Sequence, residues 1–118
     1  MKTIKSHKDL KVWQESMDFV VKIYALTEHF PSNEAFGLTA QLRRASISIP
    51  SNIAEGAGRK GAKELSRFLF IALGSLSEVE TQLEISQRLG YVNDLDDINT
   101  TIYFIRNMIS KLIKSINN

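Results

Sequence analysis

The sequence predicts an all-α protein, an up-down-up-down four-helix bundle whose second helix is kinked at Pro50. Three observations carry this. Apolar residues recur at alternating spacings of three and four along four long stretches, which puts one apolar stripe on each helix. The stretches are parted by Pro31, by the cluster Gly56, Gly58 and Gly61, and by Gly90, residue types that end helices. No stretch sustains a period of two, so no strand is predicted. The 118 residues suit one domain that buries a core without disulfide or metal staples. The reading is a basic N-terminal tail over 1–8 and a bundle domain over 9–118.

The first helix spans about 9–30, with Val12, Ser16, Phe19, Ile23, Leu26 and Phe30 as its seam. The second spans about 33–58, with Leu38, Leu42, Ala45, Ile49, Asn52 and Gly56. Its small residues let a neighbouring helix approach closely. Pro50 falls inside it, where proline removes a backbone donor and crowds the preceding turn. A kink, or two helices end to end, is the expected result, aimed at presenting Asn52 and Glu55 or simply absorbed. The third spans about 62–90, with Leu65, Leu69, Ala72, Leu76, Val79, Leu83 and Ser86. The fourth spans about 94–117 and has the most regular pattern: Leu95, Ile98, Ile102, Ile105, Ile109, Leu112 and Ile116. Asn93 is its expected N-cap, with Asp96 and Asp97 in the first turn and Lys111 and Lys114 near the end, all suiting the helix dipole.

The third helix is too apolar for one stripe. Phe70 and Ile71 lie off its seam and are expected to be wet in a monomer, so they are assigned to an oligomer interface. Gly74, inside the same helix, fits a close helix crossing or a subunit contact. Trp13, Met17, Val21 and Tyr24 form a similar surplus beside the first seam.

Several function classes drop out. There is no cysteine, which removes disulfides, thiolate metal sites and thiol nucleophiles. The two histidines, His7 and His29, lie in the tail and at a helix end. Neither sits at a spacing that builds a metal or acid–base pair. Glu80 and Glu84 share a helix face but read as a solvated acidic surface. The serines lack a glycine elbow and a base, and Gly56 to Gly61 lacks the spacing of a phosphate loop. No enzyme is predicted, no cofactor and no metal. The longest apolar run, Phe68 to Leu73, is far short of the ~20 residues that cross a bilayer. No membrane partner is expected and the cytoplasm is the expected location.

Charge is the informative remainder. The net is only +2, but Arg43, Arg44, Arg59, Lys60, Lys63 and Arg67 crowd residues 43–67, while acids dominate 78–97. Lys60, Lys63 and Arg67 fall at one side of the start of the third helix, with Arg59 beside them. Such cations beside a helix N-terminus favour anions, which points to phosphate contact, with a solubilising corner as the bland reading. Glu55 and Arg59 sit at i, i+4, as an ion pair would.

The motif Phe36-Gly-Leu-Thr-Ala-Gln-Leu-Arg-Arg-Ala45, then Ser48-Ile-Pro-Ser-Asn-Ile-Ala-Glu-Gly56 and Arg59, resembles the 23S rRNA-intervening sequence protein family. The likeness continues through Glu64, Phe68 to Ala72, Gly74-Ser75, Glu78, Glu80 to Leu83 and Leu89-Gly-Tyr91, and opens with Asp9 to Trp13. It covers roughly residues 8–115. The resemblance implies a four-helix bundle assembling as a ring-like homopentamer. Some members are encoded within insertions in bacterial large-subunit ribosomal-RNA genes. Related proteins serve as accessory subunits of diversity-generating retroelements and bind nucleic acid and a reverse transcriptase. No enzymatic activity carries over. Arg43, Arg44 and Arg59 fall within the matched motifs; Lys60 and Lys63 fall outside them. The expected function is therefore non-catalytic nucleic-acid binding, RNA or DNA, of low sequence specificity. A scaffold or adaptor for an enzyme partner is the alternative.

Overall fold

The computed structural model describes residues 6–117. Four helices account for most of them: α1 Lys11–Thr27, α2 Leu38–Gly58, α3 Ala62–Arg88 and α4 Asp96–Ile116. Short 3-10 turns lie at His7–Asp9 and Ser32–Glu34. Among the described residues there is no strand. Residues 1–5 of the expected tail lie outside the described residues. Ser6 caps the first turn in a reciprocal box with Asp9, and His7 packs edge-on against Trp13 at 5.0 Å.

The helices pack in a cycle, α1 on α2, α2 on α3, α3 on α4 and α4 back on α1. The α2–α3 pair shows its register directly. Gln41 meets Gln82, Ser48 bonds Ser75 at 2.8 Å, and Gly56 faces Phe68. Seven and then eight steps down α2 match seven and seven back along α3, close to an antiparallel heptad pair. Gly56 is needed there: a Cβ on it would come within 2.8 Å of the Phe68 Cβ.

The seams fill one core. Phe19, Ile23, Leu42, Ile49, Leu69, Leu76, Leu83, Ile102, Ile105 and Ile109 are all fully buried. Burial of side chains this size is the dominant stabilising term. The seams drift from strict heptads because a straight helix has 3.6 residues per turn. Ile113 is buried at the end of α4 where Leu112 and Ile116 were expected. In α2, Ile53 is buried and Asn52 only half-buried. The buried hydroxyls of Ser16, Thr27 and Ser86 bond the carbonyl four residues back, which satisfies them inside the helix.

α2 stays one helix through Pro50, which is itself buried. Asn52 donates its amide to the carbonyl and hydroxyl of Ser48 beside it. α1 ends at Thr27 rather than near 30, yet Phe30 remains buried and packs on Tyr91, ring centroids 5.4 Å apart. Gly90, at φ +82, closes α3: its N–H bonds Gln87 and the Tyr91 N–H bonds Ser86. That double bond is a Schellman motif, which needs a left-handed residue at this place. Asn93 does not cap α4. Leu95 holds the N-cap position without a side-chain bond; the Asp94 carboxylate before it accepts from the Asp96 N–H at 2.9 Å, while the Asn93 carbonyl accepts from Gln87. Among the described residues no helix is long and apolar enough to cross a membrane.

Candidate nucleic-acid interface

The six basic residues singled out by the sequence fall into two groups, at opposite ends of the bundle. Arg59, Lys60, Lys63 and Arg67 surround the turn between α2 and α3. Arg43 and Arg44 lie near the start of α2, about 22 Å away at 1.5 Å of rise per residue. They do not form one continuous surface.

Arg43 is tied into the fold. Its Nε donates to Thr27 Oγ1 at 2.9 Å and its Nη2 to the Tyr24 carbonyl at 3.3 Å. The guanidinium also lies over the Tyr24 ring and pairs with Glu28. Arg43 therefore clamps the end of α1 to α2. Arg44, the next residue, is exposed and has neither hydrogen bond nor ion pair with the described residues.

At the other end Glu64 is the centre. It accepts from Arg67 Nε at 3.0 Å and pairs with Arg59 at 3.6 Å. Its carboxyl is held below the usual carboxylate range, first by the Arg67 hydrogen bond, and the Arg67 guanidinium is raised in turn. Arg59 also pairs with Glu55 at 3.1 Å, the expected i, i+4 pair. Both guanidiniums lie over the Phe68 ring. Like charges at Lys63 and Arg67 are thus offset by an acid the charge spacing alone did not single out. Lys60, in the turn, and Lys63, in the first turn of α3, are exposed with no hydrogen bond or ion pair to the described residues.

The basic group extends onto other helices. Asn117 donates to Ser66 at 3.3 Å, so the end of α4 lies beside the start of α3. Lys11 and Glu15 of α1 lie by Phe104 and Met108 of α4. Lys8, Lys11, Lys111 and Lys114 therefore join Arg59, Lys60, Lys63 and Arg67 at one end, against Asp9, Glu15, Glu55 and Glu64. The reverse holds at the other end. Lys22, Arg43, Arg44, Arg88 and Arg106 stand there against Glu28, Glu34, Glu78, Glu80, Glu84, Asp94, Asp96 and Asp97. Eight cations face four anions at one end, and five face eight at the other, with Asp18 between them, along a molecule 46 Å long. Lys11, Lys111 and Lys114 were missed as site residues because only tertiary packing brings three separate helix ends together.

His7 lies on Trp13, and His29 is exposed past the end of α1. Among the described residues no three His, Cys, Asp or Glu side chains are grouped to hold a metal ion. Phe70 and Ile71 are 58% and 40% exposed, respectively. Phe36 is exposed completely, on the connection between α1 and α2.

No curated protein matches the chain. Among solved structures, the crystal structure of a protein with unknown function from the S23 ribosomal protein family of Bacteroides thetaiotaomicron is similar. It has 25% sequence identity and a TM-score of 0.62, and the match covers 89% of this chain and 94% of that one. The 23S rRNA-intervening sequence protein family matches residues 8–114. With that match across nearly the whole bundle, the chain belongs to the 23S rRNA-intervening sequence protein family.

Proposed function

We propose that this is a non-catalytic, homo-oligomeric protein of the bacterial cytoplasm that binds RNA or DNA by contacts to phosphate. The observation that carries this reading is the concentration of cations at the α2–α3 end, where Lys60 and Lys63 are exposed and make no hydrogen bond or salt bridge with the described residues. Of the sequence-named residues, Arg59, Lys60, Lys63 and Arg67 form the contact surface there. Arg44 is a free cation at the other end, and Arg43 serves the fold. Contacts of this kind position a backbone without reading bases, so sequence specificity is low. The net charge of +2 suits a surface repeated around an assembly, a ring-like homopentamer, because several weak patches on one particle bind as a multivalent whole.

Binding to structured RNA, duplex DNA and single strands, compared at about 50 and 200 mM salt, tests this; affinity falls steeply with salt when counterions are released. Absence of binding to all three at the lower salt overturns it. One observation favours a second reading, an adaptor that docks a protein partner such as a reverse transcriptase. Phe36 is wholly exposed at the acidic end, and an apolar anchor bordered by acids suits a cationic protein segment.

A further inference from the structure

Gly74 has no explanation inside the molecule. It is exposed in the middle of α3, and a Cβ on it meets nothing within 4 Å. Glycine inside a helix is destabilising, and here no neighbouring helix requires it, unlike at Gly56. It opens a lane on the outer face of α3 beside Phe70 and Ile71, both exposed.

On the far side of the bundle, α1 and α2 leave an open groove of about 350 Å³ lined by Trp13, Met17, Val20, Ile47, Pro50 and Ala54. Pro50 lies between Ser48 and Gly56 on α2, and these face Ser75 and Phe68 on α3. The groove and the Phe70–Gly74 face are therefore level along the bundle. They point away from each other, because α3 packs between α2 and α4 and lies diagonal to α1. Their charges match as well. None of the residues lining the groove is charged and residues 68–77 contain no charged side chain, so each offers the other a surface on which no ion is stranded, as interface cores require.

We infer that Phe70, Ile71 and Gly74 of one copy seat in the α1–α2 groove of a second copy of this chain. This rests on the self-association proposed above and names its two faces. The mating faces differ, so the contact is head-to-tail. They are level, so each added copy is rotated without being shifted along the axis, and such contacts close into rings rather than run on as fibres. The contact also sets basic end beside basic end, so added salt tightens it by screening, the opposite of its effect on nucleic-acid binding.

Light scattering reads the result. A Phe70→Glu/Ile71→Glu variant and a Met17→Glu/Ile47→Glu variant each become monomeric, with helical circular dichroism unchanged. Mixed together they form a one-to-one heterodimer and nothing larger, since one intact face meets one intact groove. Gly74→Leu, whose added side chain enters open space in the single chain, does not lower the stability of the single chain while association weakens about tenfold or more. A wild-type monomer at micromolar concentration overturns self-association and this contact together. A wild-type oligomer that survives all three variants overturns this contact and leaves self-association standing. Monomeric variants whose mixture fails to pair overturn the head-to-tail geometry.

Discussion

Tyr91 donates its phenolic proton to Glu34 Oε2 at 2.9 Å, across 57 positions of sequence. The other oxygen of the same carboxylate accepts from the Leu38 N–H at 3.1 Å. One acid thus caps α2 and pins the connection before it to the connection between α3 and α4. The Tyr91 hydroxyl is raised above its ordinary value of 10.0, first by that hydrogen bond, then by burial and the Glu34 charge. A raised value means the folded protein holds this proton more tightly than the unfolded chain. The contribution is full below pH 10.0 and is lost as pH rises through the raised value. Tyr91→Phe should lower the melting temperature slightly at neutral pH and remove this share of the alkaline decline. An unchanged alkaline slope in the variant counts against the pin.

Gly56 and Gly74 should respond oppositely to alanine. At Gly56 the new Cβ meets Phe68 and Leu65 at 2.8 and 3.1 Å. Overpacking of this kind costs about 1–3 kcal/mol, against about 1 kcal/mol gained in helix propensity. Gly56→Ala should therefore lose up to about 2 kcal/mol. Gly74→Ala, placed in a monomeric background, should gain about 0.5–1 kcal/mol. Thermal melts of both variants check this.

The neighbouring arginines separate structure from binding. Arg43→Ala breaks the clamp on Tyr24 and Thr27 and should cost about 1–2 kcal/mol, from charged hydrogen bonds and a ring contact. Arg44→Ala should stay within about 0.5 kcal/mol of wild type, as an exposed residue without partners does. Urea denaturation of the two measures the difference.

Lys60→Gln and Lys63→Gln should leave the melting temperature unchanged while weakening nucleic-acid binding evenly across sequences. Each lost phosphate contact should reduce the slope of log affinity against log salt by about 1. Arg67→Gln should do more than either, because it also frees Glu64 from its hydrogen-bond partner. Titrations over a salt series give the slopes directly.

The helices were legible because each carries its own apolar stripe, a local property of the chain. Ile98, Ile102, Ile105 and Ile109 announce α4 without reference to anything else. The ends were less so. Asn93 and Asp94 are both capping types, and only the path of the chain decides that Asp94 reaches the Asp96 N–H. Half of the candidate site was legible for the same reason. Arg59, Lys60, Lys63 and Arg67 are close in sequence and remain close in space. Arg43 was not, since its partners Tyr24 and Thr27 come from another helix. The same applies to Lys111 and Lys114, brought to the site by the return of α4.

The opposed charge of the two ends makes the molecule a vector. In a closed assembly of level copies these vectors add instead of cancelling, and the particle becomes a disc with one cationic and one anionic side. Its field would draw a phosphate chain to one side and repel it from the other, so a bound strand would lie across a single surface. The anionic side, with one Phe36 ring per copy, would stay uncovered. In such an assembly nucleic-acid binding and adaptor docking would not be rival descriptions but the two sides of one disc.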